Sequence, residues 1–355
     1  MTTTHGAPAG ALAAPDPGKA GMAGADTLLD IRDLTVDFMT PRGPARAVDG
    51  VSLSVARGEV LGLAGESGCG KSTIAHAIMR LIKPPGRIGG GQIVFDGRDI
   101  LTMTSRQVRD YRWRKIAIVF QNAMSALNPV ITIGEQITDA IRAHERVSKR
   151  QATARAAELL DVVGIDSRHL RGFAHELSGG MRQRAVIAMA LALHPELIIM
   201  DEPTTALDVV VQRDILQQID DLKDRFGFSI IFITHDLSLL VEFSTRIAIM
   251  YAGKIAETAP SADLFNAPQH PYTVGLMNSF PSIDGERKRL QGIPGSPPNL
   301  VTPPPGCRFA PRCPHVMAVC QTVEPALRAV SPARRAACHL YEGEGRHASA
   351  SSRGV

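Results

Sequence analysis

The stretch Gly65-Glu66-Ser67-Gly68-Cys69-Gly70-Lys71-Ser72-Thr73 decides the fold. It matches the phosphate-binding pattern of two glycines five positions apart that are followed by Lys and then by Ser or Thr. An apolar run from Val60 to Ala64 precedes this loop and predicts a buried strand. The residues after the loop place Ile74, Ile78 and Ile82 on one face of a predicted helix. This strand, loop and helix together predict a nucleotide-binding α/β fold.

Every residue of this loop, from Gly65 to Thr73, is a candidate ligand of a nucleoside triphosphate. Backbone N–H groups converge on phosphate oxygens where a helix begins, and glycines let the backbone approach them closely. We expect Lys71 to bridge the β- and γ-phosphates and the Ser72 hydroxyl to be a ligand of Mg²⁺. Cys69 is interpreted as a small residue that fits the loop.

Two adjacent carboxylates follow a second apolar run, Leu197 to Met200. Ligands of parallel sheets bind at the carboxyl ends of the strands. We therefore expect Asp201 to hold Mg²⁺ through water and Glu202 to face the attacking water. Such a pair on its own is explained equally well as a solvated acidic turn. The phosphate loop upstream favours the catalytic interpretation.

Apolar runs of strand length, separated by predicted helices, indicate a parallel sheet that is covered on both faces. They are Val60 to Ala64, Ile116 to Phe120, Leu197 to Met200 and Ile230 to Ile233. Alternation of apolar and polar residues from Asp30 to Val55 predicts an antiparallel hairpin. The segment from Ile131 to Arg171 has helical periodicity and predicts an inserted helical subdomain.

A second helix start, Leu177-Ser178-Gly179-Gly180-Met181-Arg182-Gln183-Arg184, resembles the signature of the ATP-binding-cassette (ABC) ATPases. The other elements of that family follow in order. Gln121 comes after the run that begins at Ile116, Ala206-Leu207-Asp208 follows the acidic pair, and His235 follows the run that ends at Ile233. The resemblance implies a cassette with a parallel core, an antiparallel β subdomain and an inserted helical subdomain.

The resemblance also implies that two cassettes meet head to tail, with each ATP between the phosphate loop of one and the signature of the other. Ser178, Gly179 and Gly180 would then bind the partner's ATP, and Asp208 would lie close to the shared nucleotide. Hydrolysis would remove contacts to the γ-phosphate and let the dimer open.

Three single residues have roles that rest on the same resemblance. Gln121 corresponds to the family's sensor of the γ-phosphate and Mg²⁺, and His235 to its switch histidine. Phe38 is a candidate for stacking on adenine, although a core position explains it equally well. With Glu202, the residues Gln121 and His235 form the expected catalytic group.

Several further stretches resemble the ATPase subunits of dipeptide and oligopeptide importers. They are Gly179 to Arg184, Ile187 to Leu191, Asn128-Pro129, Thr132 to Glu135, His270 to Thr273, Ile293 to Gly295 and Pro305 to Cys313. The resemblance implies a heterodimer of ATPase chains, two integral membrane permeases, an extracytoplasmic substrate-binding protein, and a peripheral location on the cytoplasmic face of the membrane. A nickel or other small-solute importer remains the alternative, because specificity resides in the external binding protein.

The same resemblance and the composition divide the chain into domains. We expect a disordered tail in 1–27, an ABC ATPase domain in 28–270 with its helical subdomain at about 122–180, and a flexible tail in 343–355. Residues 271–342 would form a Pro-rich and Cys-rich accessory domain of the oligopeptide-importer type. Its cysteines, Cys307, Cys313, Cys320 and Cys338, match no standard zinc or ferredoxin spacing. A structural 4Fe-4S cluster, as in some relatives, or another bound metal such as zinc is one alternative, and unligated buried thiols are the other.

Composition argues against other classes of protein. The 39 Lys and Arg against 35 Asp and Glu leave a net charge of +4, and only 5% of residues are aromatic, so neither a basic surface nor stacking platforms for nucleic acid are indicated. A soluble ABC ATPase acting on nucleic acid or ribosomes usually has two cassettes or a long coiled coil, and neither pattern occurs here. A non-hydrolysing regulatory cassette is disfavoured because Lys71, Asp201, Glu202 and His235 occur together.

Overall fold

The computed structural model describes residues 27–120, 126–205, 207–279 and 292–341. Gln121 and Ala206 lie outside the described residues, as do the predicted tails apart from Thr27. No helix within the described ranges is long and apolar enough to cross a membrane.

The strands and helices are numbered here in chain order. The strands are β1 (Thr27–Thr40), β2 (Gly43–Ala56), β3 (Val60–Ala64), β4 (Gly86–Phe95), β5 (Arg98–Asp99), β6 (Ile116–Val119), β7 (Leu197–Asp201), β8 (Ser229–Ile233), β9 (Arg246–Tyr251), β10 (Lys254–Pro260), β11 (Arg328–Ser331) and β12 (Arg334–Ala336). The helices are α1 (Lys71–Ile78), α2 (Ser105–Tyr111), α3 (Ile133–His144), α4 (Lys149–Val162), α5 (Gly179–Leu191), α6 (Val209–Phe226), α7 (Leu237–Phe243), α8 (Ser261–Asn266), α9 (Pro271–Asn278) and α10 (Ala318–Thr322).

The main sheet has the strand order β11-β12-β10-β9-β3-β8-β7-β6. Strands β9, β3, β8, β7 and β6 run parallel, and all residues of β3, β6, β7 and β8 are buried. The apolar runs therefore do form the parallel core that the sequence predicts. The phosphate loop leaves β3 at the same edge where β7 ends in Asp201, because β3 and β7 both flank β8.

A second, antiparallel sheet has the order β2-β1-β4-β5. The predicted hairpin is confirmed, since β1 pairs with β2 from Thr27 opposite Ala56 to Thr40 opposite Gly43. The inner faces of β1 and β2 share a core with β3 and α1. This packing connects the antiparallel sheet to the strand and helix that flank the phosphate loop.

The predicted helical insert contains α3 and α4. Both helices begin with a capping box, in which Thr132 pairs with Glu135 and Ser148 pairs with Gln151. Isoleucines of α3 and alanines of α4 pack into the same core as α5. The insert is thus fixed to the helix that follows the signature.

The C-terminal region does not pack as a separate body in the described ranges. Strand β12 pairs with β10, with Glu257 opposite Ala336, and thereby extends the main sheet. Tyr272 and Phe309 are buried in the main core, at 0% and 3% exposure. The expected Pro-rich and Cys-rich accessory domain is therefore not confirmed.

His270 lies where the C-terminal region packs on the main sheet, and it should make the free energy of unfolding depend on pH. Its ring is buried, and its Nδ1 accepts a hydrogen bond from the Tyr272 backbone N–H at 3.0 Å. Burial lowers the pKa of His270 to about 4. Between that value and the unfolded pKa near 6.5, the unfolded chain binds a proton and the folded chain does not. The stability contributed by burying the neutral His270 ring is therefore fully present above about pH 6.5, and it is lost as the pH falls towards about 4.

We expect this loss to amount to roughly 3 kcal/mol over that interval. Urea unfolding of the wild type and of His270→Gln at a series of pH values measures it. The variant should be less stable at neutral pH and should lose less stability on acidification. Parallel pH curves for the two proteins would contradict this role of His270.

Candidate nucleotide site

The phosphate loop requires glycine at positions 65 and 70. Gly65 has φ +146°, and a Cβ there would lie 2.1 Å from the Met250 carbonyl oxygen. Gly70, which precedes α1, has φ +112°, and its Cβ would lie 2.3 Å from the Ala47 carbonyl oxygen. At these two positions the loop lies so close to β9 and β2 that there is no room for a Cβ. The Gly253 N–H also donates to the Cys69 carbonyl at 2.9 Å.

Lys71 is buried within the loop that it is expected to serve. Its ammonium donates to the carbonyl oxygens of Gly65 at 2.7 Å and of Glu66 at 3.2 Å, and it lies 3.7 Å from the Cys69 Sγ. The side chain is only 6% exposed. These hydrogen bonds hold the ammonium inside the loop, where the phosphates of a nucleotide would bind.

Asp201 ends β7 next to the Ser72 hydroxyl. Burial raises the pKa of the Asp201 carboxyl, and a side-chain hydrogen bond with Ser72 opposes that rise. The Oδ1 atom of Asp201 is buried and has no hydrogen-bond partner among the described residues. A buried carboxylate oxygen without a partner beside a hydroxyl fits Mg²⁺ held directly or through water. Bound Mg²⁺ would favour the ionised carboxylate.

Glu202 and His235 face each other across the ends of two neighbouring strands. His235 Nδ1 lies 3.4 Å from Glu202 Oε1, and the Thr205 hydroxyl donates to Glu202 Oε2 at 3.1 Å. Glu202 has φ +49°, and its N–H donates to the Ile233 carbonyl at 2.8 Å. Such a backbone is uncommon for a residue with a side chain and is typical of functional sites. The His235 side chain is 67% exposed and accessible to a ligand.

The signature residues lie at the start of α5. Ser178 is the N-cap of this helix and accepts a hydrogen bond from the Met181 N–H at 3.3 Å. Gly179 and Gly180 form its first turn, where backbone N–H groups favour an anion. Asp208 caps the next helix, α6, and accepts from the Val211 N–H at 3.0 Å. A Cβ on Gly180 would lie 2.8 Å from the Val211 side chain, so the two helix starts are neighbours.

Two family models match the chain over most of this structure. The model described as ABC transporter matches residues 48–205, and the model described as oligopeptide/dipeptide transporter, C-terminal region, matches residues 256–320. A probable peptide ABC transporter ATP-binding protein of Sinorhizobium fredii is 49% identical over 318 residues, which are 88% of this chain and 95% of that protein. The chain belongs to the ABC transporter ATP-binding proteins.

Other relatives and solved cassettes agree. The oligopeptide transport ATP-binding protein AppD of Bacillus subtilis is 44% identical over 90% of this chain and 98% of its own length. A dimeric ABC cassette bound to ADP and phosphate is 28% identical, with a TM-score of 0.60 over 66% of this chain and 98% of the cassette. The structure thus has the ABC ATPase fold that the sequence predicts.

Gln121 and Phe38 are the two further ABC site residues that the sequence assigns. Gln121 lies outside the described residues, although Phe120 before it contacts the His76 ring at a centroid distance of 6.0 Å. Phe38 is half-buried in the antiparallel sheet of the cassette, opposite Ala45 and Gly86. Its partly buried side chain packs against the core that the antiparallel sheet shares with α1.

The metal centre expected in the C-terminal region of the cassette is not supported. No three His, Cys, Asp or Glu side chains within the described ranges are arranged to hold a metal ion. The Cys307 N–H donates to the Cys320 carbonyl at 2.8 Å, and burial raises the pKa of Cys338 to about 11. Burial also raises the pKa of Cys307 and of Cys313.

The structure adds residues that sequence reasoning missed. Gln136 of α3 holds the chain downstream of Gln121, because its amide accepts from the Asn128 N–H at 2.7 Å and donates to the Asn128 and Ile131 carbonyls. Arg312 of the C-terminal region contacts Glu66 of the phosphate loop. A lone amide on an apolar helix face was a signal for Gln136. Arg312 lies in the stretch Pro305 to Cys313 that resembles peptide-importer ATPases, but nothing local indicates its partner, which is 246 residues away.

Proposed function

We propose that this chain is the ATP-hydrolysing subunit of an ABC importer for dipeptides or oligopeptides. The observation that carries the proposal is the arrangement of Lys71, Asp201, Glu202 and His235 at one sheet edge in a chain that also has the oligopeptide-transporter C-terminal region. An inactive regulatory cassette would not need a paired carboxylate and imidazole beside the phosphate loop.

The chemistry follows from the positions of these side chains. Lys71 and the N-terminus of α1 would neutralise the β- and γ-phosphates of bound ATP, and Ser72 with Asp201 would hold Mg²⁺, whose charge would stabilise the phosphate oxygens. Glu202 orients the attacking water and accepts its proton. His235 lies 3.4 Å from Glu202, so it would keep that carboxylate in place and contact the γ-phosphate of bound ATP. Gln121 completes this group as a sensor of the γ-phosphate and Mg²⁺.

We assign the signature to the ATP of a second ABC ATPase subunit, in a heterodimer. Ser178, Gly179 and Gly180 are placed at the start of α5 rather than at the chain's own phosphate loop, which has its own helix N-terminus at α1. A second chain would bring a triphosphate to this helix start and to Asp208. Binding of ATP at the interface would then close the dimer, and its hydrolysis would open it.

The other partners follow from the same proposal. We assign the chain to the cytoplasmic face of the membrane beneath two permeases that receive substrate from an extracytoplasmic binding protein, with no role for nucleic acid. A nickel or other small-solute importer is the second candidate. Uptake of labelled dipeptides, longer peptides and nickel by cells with and without this gene tests the choice. Loss of nickel uptake with intact peptide uptake would favour the second candidate.

Ser178→Arg tests the shared nucleotide site. The larger cationic side chain would fill the space in which the partner's γ-phosphate contacts the start of α5, so we expect ATPase activity of the assembled transporter to fall at least about tenfold. ATP binding to the isolated chain should remain unchanged. Ser238→Arg, a substitution on the exposed surface of α7, is the matched control. Full activity of the Ser178 variant in the assembled transporter would contradict the shared site.

The proposed ATPase does not require an iron-sulfur cluster. A 4Fe-4S group on Cys307, Cys313, Cys320 and Cys338 stays a separate hypothesis from the sequence. Iron and sulfide analysis of protein purified without oxygen tests it, and protein free of both would reject it.

A further inference from the structure

The outer side of the phosphate loop is held by the C-terminal region. Arg312 makes a two-point ion pair with Glu66, with Nη1 2.8 Å from Oε2 and Nη2 2.9 Å from Oε1. The Arg312 side chain is 5% exposed and that of Glu66 is 24% exposed. A largely buried, two-point pair between Arg and a carboxylate is strong and directional.

Glu66 is fixed at its backbone as well as at its carboxylate. Its N–H donates to the Tyr272 hydroxyl at 2.9 Å, and its carbonyl accepts from Lys71 at 3.2 Å. The same residue is therefore bonded to the C-terminal region on one side and to the phosphate-binding lysine on the other. Pro297, Pro298 and Leu300 line a small cleft together with loop residues 66–69.

Arg312 is itself held rigidly by groups other than Glu66. Its guanidinium donates to the Pro294 carbonyl at 2.8 Å and to the Tyr251 hydroxyl at 3.2 Å, and it lies over the Tyr251 ring at 5.7 Å. Because these contacts fix the guanidinium, the ion pair with Arg312 fixes the position of the Glu66 carboxylate.

An unpaired carboxylate at position 66 would oppose nucleotide binding. The loop has to accept a triphosphate, and a negative side chain in the same loop repels it at short range. Arg312 pairs with this carboxylate and offsets its charge. Arg308, in the same segment, instead contacts Asp49 and the Ala252 carbonyl, so it anchors the region without touching the loop.

We propose that Arg312 is a positioning residue of the nucleotide site: it neutralises Glu66 and holds it away from the phosphates, so that docking of the C-terminal region sets the affinity of the loop for ATP. The inference rests on the proposed function, because it assumes that the loop binds MgATP.

The test is equilibrium binding of MgATP to the full-length chain. We expect Arg312→Met to weaken binding about tenfold and Arg312→Lys by a smaller factor, and Glu66→Gln completes the double-mutant cycle. The double variant Glu66→Gln with Arg312→Met should recover most of the lost affinity, because no unpaired carboxylate is left. A purely structural role of Arg312 would not be rescued by a change in the phosphate loop.

Arg246→Met is the matched control. Arg246 makes a two-point pair with Glu59, at 2.8 and 3.2 Å, and its other side-chain hydrogen bond within the described ranges is to the Ser54 carbonyl, away from the phosphate loop. Its loss should lower thermal stability without changing MgATP affinity. If Arg312→Met does not fold, Arg312→Lys with and without Glu66→Gln replaces it in the comparison.

The possible results distinguish a failure of the proposed function from a failure of the role assigned to Arg312. Wild-type protein that fails to bind MgATP would refute the proposed function. Wild-type protein that binds MgATP while the Arg312 variants bind equally well, or a double variant no better than Arg312→Met, would overturn the role of Arg312 alone.

Discussion

Glu202→Gln will leave MgATP binding intact and lower ATP turnover of the assembled transporter by about 10³-fold. The amide keeps the size of the side chain and its contact with the Thr205 hydroxyl, but it cannot accept a proton from the attacking water. Because the γ-phosphate then persists, the variant should also accumulate as a closed dimer with ATP. Phosphate release and size-exclusion chromatography with light scattering measure the two effects.

Glu196→Gln is the control for this experiment. Glu196 directly precedes β7 and pairs with Arg57 and Lys115, so the same substitution is made at the opposite end of the same strand. It should cost some stability and leave turnover near the wild-type value. A Glu202→Gln transporter with undiminished turnover would show that another group accepts the proton.

Lys71→Met will weaken MgATP binding by at least about 100-fold, or ~3 kcal/mol. The thioether keeps the length of the side chain, but the loop loses the cation that is aimed by the Gly65 and Glu66 carbonyls. Titration with a fluorescent ATP analogue measures the loss.

Lys149→Met, on the exposed first turn of α4, is the matched substitution and should bind as the wild type does. Circular dichroism of both variants verifies that the helices are retained. If Lys71→Met bound the analogue as tightly as Lys149→Met, the assignment of the phosphate loop would be wrong.

Local pattern was enough to predict the parallel core. The strand before the phosphate loop and the strand before Asp201 are short, wholly apolar and flanked by helices, so burial on both faces could be deduced before any contact was known. Ser178 likewise lies where a Ser followed by glycines predicts an N-cap, and α5 begins at the next residue.

Strand β4 was not predicted, because its central residues are three consecutive glycines. Glycine runs usually indicate a loop. Here a Cβ on Gly91 would lie 2.6 Å from the Arg32 carbonyl oxygen, beside an irregularity in the pairing of β1 with β4. The glycines permit a close approach between two strands, and that need is visible only when both strands are in place.

The tie between the C-terminal region and the phosphate loop was beyond prediction for a related reason. Pro-rich sequence around residues 294–305 correctly indicates little regular structure. Nothing local shows that Tyr272 and Phe309 enter the main core, or that Arg312 pairs with a residue near the other end of the chain. Long-range pairs of this kind depend on the whole fold.

The strand pair β11–β12 has a consequence for protein engineering. Strand β10 is covered by β12 on the side away from β9, and the first residues matched by the C-terminal family model lie within β10 itself. A hybrid ATPase joined at residue 271 would therefore take β10 from one parent and β12, the strand that covers β10, from the other parent. Transplants between relatives will need a joint upstream of β10, and both parents must agree at positions 66 and 312.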